Sequence, residues 1–123
     1  MKKIFIIFVF LFSTNSYSVE KITNFTFEKF ENAQNSNKTI VINSWNKTCS
    51  TCSTQSKILN SATNDFKNVE FLFYEQTKYK EIAKSLNIKY WSTIVVFKGK
   101  KEVARVIGLI SKEEIYKIIE KGI

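Results

Sequence analysis

Hydrophobic and polar positions change period several times along this chain, and each change marks an element. Ile4 to Phe12 is an unbroken apolar run of nine residues behind Lys2 and Lys3. Between Thr23 and Ala33, Phe27, Phe30 and Ala33 recur three apart, which predicts a short helix. Asn35 to Lys38 is polar and reads as a loop. Thr39 to Trp45 holds Ile40, Val41 and Ile42 in sequence, the pattern of a strand buried on both faces. From Cys52 the period becomes helical, with Ile58, Leu59, Ala62 and Phe66 on one face. Val69 to Tyr74 reads as a second buried strand. Tyr79, Ile82, Ala83 and Leu86 follow the i, i+3, i+4, i+7 spacing of a helix. Thr93 to Phe97 and Val103 to Ile107 are strands joined by the turn Lys98-Gly99-Lys100-Lys101, a β-hairpin that Gly108 ends. Ser111 with Glu114 three residues on is a capping box that opens a last helix with Ile115, Ile118 and Ile119 inward.

The order is therefore helix, strand, helix, strand, helix, strand, strand, helix, with room for a further strand near Val19 to Ile22. Alternating strands and helices require parallel pairing, and the late hairpin adds an antiparallel edge. The expected fold class is α/β: a central mixed β-sheet flanked by helices on both faces.

The first eighteen residues read as a signal peptide and residues 19–123 as one domain. Lys2 and Lys3 form the basic start, and Ser16 and Ser18 offer small side chains for cleavage after Ser18. Nine residues rise only ~14 Å as a helix, against ~30 Å of hydrocarbon, so a membrane span is not expected after cleavage. An uncleaved anchor or a buried strand are the other readings of the run. Export places the chain in a periplasmic or other extracytoplasmic compartment.

Composition narrows the chemistry. The formal net charge is +8, and loss of Lys2 and Lys3 with the leader lowers it by two. Lysines are scattered among acids, and Arg105 is the only arginine, so the charge reads as a solvated surface and not a nucleic-acid patch. Histidine is absent, which removes Ser-His and Cys-His catalysis. Two cysteines cannot complete a four-ligand zinc site within one chain; only pairs from two chains could hold zinc or an iron–sulfur cluster. No cofactor and no resident metal are expected. Asn24, Asn37 and Asn46 begin Asn-x-Ser/Thr sequences, which matter only in a host that glycosylates them.

The chemistry that remains is Cys49-Ser50-Thr51-Cys52. A Cys-x-x-Cys alone is a weak signal, but this one sits where a buried strand ends and a helix begins. That junction offers free N–H groups and the positive end of a helix dipole, which favour thiolate over thiol. Cysteines in such places have pKa values of about 3.5 to 7.5. Cys49, at the helix start, attacks a partner disulfide. Cys52, one turn in and more buried, attacks the mixed disulfide and releases the reduced partner. Lys47 either adds positive field at Cys49 or points to water. The competing reading, a structural staple, is weak: a four-residue loop contributes roughly 2 kcal/mol.

At these residues the sequence resembles the thioredoxin superfamily, over about Thr39 to Gly122. Val41 to Cys52 looks like the family's strand, tryptophan and Cys-x-x-Cys; Ser92 to Lys100 looks like its Pro-Thr loop and hairpin; Gly108 matches the glycine after the last strand. The resemblance implies a thioredoxin-like fold, Cys49 as nucleophile, Cys52 as resolving cysteine, Trp45 beneath the redox centre and Thr93 after a substrate-docking loop. Core packing alone is the plainer role for Trp45. The implied partners are protein dithiols or disulfides and a redox donor or acceptor protein.

The chain departs from the family's pattern at several positions. Ser92 stands where a cis-proline is usual. A non-proline cis bond costs about 2.5 to 4 kcal/mol, so a trans Trp91–Ser92 bond is expected. Asn43 stands where many thioredoxins carry a buried acid and cannot act as a base; an asparagine here resembles exported thioredoxin-like reductases. Its plainer role is a buried amide bonded to backbone. Trp91 is either an aromatic anchor for a partner or an edge-packed side chain. The leading reading is an exported thiol–disulfide oxidoreductase, reductase-like in direction. A thioredoxin-fold binding or chaperone module, and a structural disulfide in an interaction protein, are the alternatives.

Overall fold

The computed structural model describes residues 23–123; the predicted signal peptide and the strand expected near Val19 to Ile22 lie outside them. Four helices and four strands follow in the order α1 (Phe27–Asn35), β1 (Thr39–Trp45), α2 (Ser50–Asp65), β2 (Glu70–Glu75), α3 (Lys80–Ser85), β3 (Thr93–Lys98), β4 (Lys101–Ile107) and α4 (Lys112–Glu120). The sheet runs β2-β1-β3-β4. β1 pairs parallel with β2 and antiparallel with β3, and β3 pairs antiparallel with β4. It is the mixed sheet expected from the alternation.

All seven residues of β1 are buried, because helices cover both faces. Ile40 and Ile42 point to one side, with Phe30 and Ala33 of α1, Ile82 and Ala83 of α3, Leu72 and Tyr74. Val41 and Trp45 point to the other, with Cys52, Leu59 and Ala62 of α2 and Ile115, Ile118 and Ile119 of α4. Burial pushes the Tyr74 phenol above its ordinary pKa. It stays protonated and donates to Gln76 Oε1 at 2.7 Å, and Gln76 Nε2 donates to the Ile88 carbonyl at 2.7 Å.

Some boundaries differ from the expectation by a few residues. The first helix begins at Phe27, not Thr23. Residues before it are held extended, since the Asn24 and Phe25 N–H groups both donate to the Phe73 carbonyl. Thr26 then caps the helix by accepting from Lys29 N at 3.1 Å. The Asn24 side chain also pairs with β2: its Nδ2 donates to Phe71 O at 3.0 Å and its Oδ1 accepts from Phe73 N at 2.6 Å. A glycan on that nitrogen and this pairing exclude each other. The second helix begins at Ser50 with Cys49 as its cap, the strand-to-helix junction expected for the pair. The hairpin turn is shorter than expected, because β4 starts at Lys101. Gly99 has φ +57°, and a Cβ there would lie 2.6 Å from Asn37 Oδ1, so glycine is required.

The single arginine is committed to the fold. Arg105 donates to the Leu86 and Asn87 carbonyls at the end of α3, at 2.8 and 3.1 Å, and pairs with Glu102 at 2.6 Å. Among the described residues, no helix is long and apolar enough to cross a membrane.

Candidate active site

The site is built at the end of β1. Asn46 Oδ1 accepts from the N–H of Thr48 at 3.1 Å and from its hydroxyl at 2.9 Å, which folds the chain back on itself. The Cys49 N–H closes the turn on the Asn46 carbonyl at 3.3 Å. Asn46 Nδ2 ties the turn to Thr77 Oγ1 at 3.3 Å. Cys49 leaves this turn in an extended conformation, φ −96° and ψ 110°, and caps α2. Its Sγ accepts from the Cys52 N–H at 3.1 Å.

A disulfide joins Cys49 to Cys52, whose Cα atoms are 5.2 Å apart. Cys49 is partly exposed and Cys52 is fully buried, the asymmetry that separates an attacking from a resolving sulfur. The first turn of α2 carries no acidic residue. Negative charge on Cys49 Sγ therefore meets a helix N-terminus and an N–H donor with no carboxylate in that turn against it. Lys47, two residues earlier, is exposed.

The 90–93 loop, tied to α2 through Gln55, is clamped by side-chain hydrogen bonds. Ser92 is buried, its bond to Trp91 is trans, and its carbonyl accepts from Gly108 N at 3.0 Å and Gln55 Nε2 at 3.1 Å. Ser44 Oγ donates to the Tyr90 carbonyl at 3.0 Å and accepts from Thr93 N at 3.1 Å. Thr93 Oγ1 donates to the same carbonyl at 2.6 Å. Three side chains thus fix a loop that no proline ring stiffens.

Trp45 is buried against Cys52 and Leu59, with Cys49 packed on the same cluster. Trp91, next to the buried Ser92, is 45% exposed. Asn43 is fully buried on the α2 side of β1, but backbone does not satisfy it completely. Its Nδ2 donates to Thr93 O at 3.2 Å and to Gln55 Oε1 at 3.0 Å, while its Oδ1 has no partner.

Gln55 is the residue that sequence reasoning missed. It is fully buried and links α2 to β1, the 90–93 loop and, through Leu109 O at 2.8 Å, the segment before α4. The signal was present: a glutamine interrupts the stripe of Cys52, Leu59 and Ala62 along the buried face of α2. Ser44, a polar residue in a strand buried on both faces, is a second such signal. Among the described residues, no three His, Cys, Asp or Glu side chains converge as a metal site requires.

The comparisons agree with this geometry. The family model for thioredoxin matches residues 18–121. The chain is 28% identical to thioredoxin H-type of Fagopyrum esculentum over 91 residues, covering 74% of this chain and 78% of that one. It is 27% identical to the thioredoxin of Mycoplasma genitalium over 88 residues, covering 72% and 86%. Among solved structures it resembles Trxlp from Edwardsiella tarda, with TM-score 0.75 and 17% identity over 79% of this chain and 96% of that one. It also resembles thioredoxin NaTrxh from Nicotiana alata, with TM-score 0.69 and 24% identity over 83% and 92%. A Cys-x-x-Cys disulfide capping the helix after a buried strand, in a chain matched along most of its length, makes this a thiol–disulfide oxidoreductase that belongs to the thioredoxin family.

Proposed function

We propose that this protein is an exported, reductase-like oxidoreductase that transfers electrons to disulfides of other proteins. The observation that carries the protein-substrate reading is a collar of exposed apolar side chains on segments tied to α2, the helix that bears the disulfide. Among the described residues, four of the six exposed large hydrophobic side chains are Tyr90, Trp91, Ile107 and Ile110. Tyr90 and Trp91 precede Ser92, Ile107 pairs with Thr93 across the hairpin, and Ile110 follows the Leu109 carbonyl that Gln55 holds. Exposed apolar surface next to a reactive group marks where a macromolecule docks.

In the cycle, the reduced Cys49 thiolate attacks one sulfur of the partner disulfide. A mixed disulfide forms and the partner's other sulfur leaves as thiolate. Cys52, once deprotonated, attacks Cys49 Sγ; the Cys49–Cys52 bond forms and the partner departs as a dithiol. Two electrons have passed to the partner, and a donor dithiol must restore them.

Trp91→Ala tests the docking surface. It is expected to raise KM for a protein disulfide about tenfold, since a half-exposed aromatic anchor contributes roughly 1 to 2 kcal/mol. A small soluble disulfide, too short to reach the collar, should be reduced at the wild-type rate. Equal losses on both substrates would count against docking. Export is supported by the basic start, the apolar run and the small residues ending at Ser18. N-terminal sequencing of the protein from the extracytoplasmic fraction should find a chain beginning at Val19; protein confined to the cytoplasm would contradict export.

A further inference from the structure

The sheet brings four connections to the end that carries Cys49. β1 and β2 are parallel, so both finish at that end, with Trp45 opposite Glu75. β3 starts there and β4 finishes there, with Thr93 opposite Ile107. The connections are residues 46–49, 76–79, 108–111 and the part of 86–92 that leads into β3. Side chains tie them to one another: Asn46 Nδ2 reaches Thr77 Oγ1 at 3.3 Å, and Gln76 Nε2 donates to the Ile88 carbonyl at 2.7 Å. Lys78 and Lys89 each follow a residue held in this way. The charged residues on these connections are Lys47, Lys78 and Lys89, all exposed, and no Asp or Glu stands among them.

Neighbouring acids do not cancel this surface. Glu75, the last residue of β2, offsets one lysine from within, but it is buried and accepts from the Thr77 hydroxyl at 3.3 Å. The first turn of α2 carries no acid. The starts of α3 and α4 add Lys80 with Glu81, and Lys112 with Glu113 and Glu114; Glu113 pairs with Lys117 at 3.2 Å, so these groups balance. Lysines recur elsewhere in a chain of net charge +8, but at the opposite end of the sheet Asp65 and Glu70 line the same cleft as Lys38, Lys67 and Lys98. At the Cys49 end, the charge that a partner meets on the connections is positive, and it stands among the exposed Tyr90, Trp91, Ile107 and Ile110.

We propose that this end of the sheet selects protein partners whose disulfide is flanked by acidic residues. The apolar side chains bury against the partner, while Lys47, Lys78 and Lys89 draw in its carboxylates. Opposite charge of this kind speeds encounter and fixes orientation more than it tightens the final complex. The same lysines repel a basic partner, so they discriminate as well as attract. The inference deepens the protein-substrate reading above and rests on it.

The test uses the full chain, reduced beforehand, and two disulfide-closed peptides of equal length. One has Asp and Glu flanking its cysteines, the other Lys and Arg, and each rate is divided by that peptide's rate with dithiothreitol. At about 0.01 M salt, where the screening length is ~30 Å, the acidic peptide should be reduced faster by a factor on the order of ten. At about 1 M salt, where that length is ~3 Å, the ratio should fall toward one. Lys78→Glu combined with Lys89→Glu should bring the low-salt ratio to one or below. Equal rates at low salt overturn the proposal, as does a preference that salt and both substitutions leave unchanged. Co-sedimentation with phosphatidylglycerol vesicles, without any preference between the peptides, also overturns it and makes the surface a membrane contact. Reduction of neither peptide would instead bring down the protein-disulfide reading itself, so the two failures are distinguishable.

Discussion

Cys49→Ser is expected to reduce turnover on a protein disulfide to the uncatalysed background, a loss on the order of 10³-fold or more. The step that fails is the first. A serine hydroxyl stays protonated at this helix cap, so no nucleophile attacks the partner and no mixed disulfide forms. The fold should survive, because closing a four-residue loop contributes only roughly 2 kcal/mol. Cys52→Ser should fail differently. Cys49 still attacks, but nothing resolves the product, so a covalent complex with the partner accumulates and is released by dithiothreitol. A steady-state assay with non-reducing electrophoresis separates these outcomes. Retained turnover in Cys49→Ser would assign the chemistry elsewhere. Partner binding should persist in Cys49→Ser, since the collar is untouched.

The second large effect falls on stability. Gln55→Ala removes three hydrogen bonds at once, two of them buried, and leaves a gap between α2 and the 90–93 loop. Leu109 O and one Asn43 hydrogen lose their bonds to Gln55, while Ser92 O keeps the Gly108 N–H. Each buried group left unpaired costs about 1 to 3 kcal/mol, so a loss of about 3 kcal/mol is expected. Urea unfolding should show a lower midpoint at unchanged slope. A loss under 1 kcal/mol would mean that water replaces the side chain and that the loop is held by Ser44 and Thr93 alone.

Gln55 also marks how far the fold and the site are legible in the sequence. β1 was legible to the residue, since a continuous β-branched run before a turn has one economical reading. The covering of both sheet faces followed from it. The first helix was placed too early because its spacing begins at Phe27, and nothing local reveals that Asn24 and Phe25 bond across to β2. The two-residue hairpin turn was hidden by lysines, which suit a turn and an exposed edge strand equally. At the site, the cysteine pair and its junction were legible from spacing and period. Its support was not: Gln55 is 37 residues from Ser92 and 54 from Leu109. Periodicity reports which face a residue occupies, never which distant carbonyl waits there. The sequence leaves open whether backbone satisfies the Asn43 amide, and only the folded neighbours show its oxygen without a partner.

Ser92 illustrates compensation. Loss of the proline ring removes a fixed φ and restores an N–H. Here the loop is held instead by Ser44, Gln55 and Thr93 acting on the Tyr90 and Ser92 carbonyls. The apolar collar can then stand exposed on a loop with limited freedom, which lowers the ordering cost of docking.

Thioredoxin, at about −270 mV, and a strong oxidant, at about −120 mV, lie ~150 mV apart, so the potential separates the two directions of electron flow. The most direct test is the reduction potential of the Cys49–Cys52 pair, by equilibration with glutathione and dithiothreitol buffers. A reversible two-electron midpoint near −270 mV is predicted. A pair still closed below about −300 mV would be a structural staple, and a midpoint near −120 mV would reverse the flow of electrons; either contradicts the account.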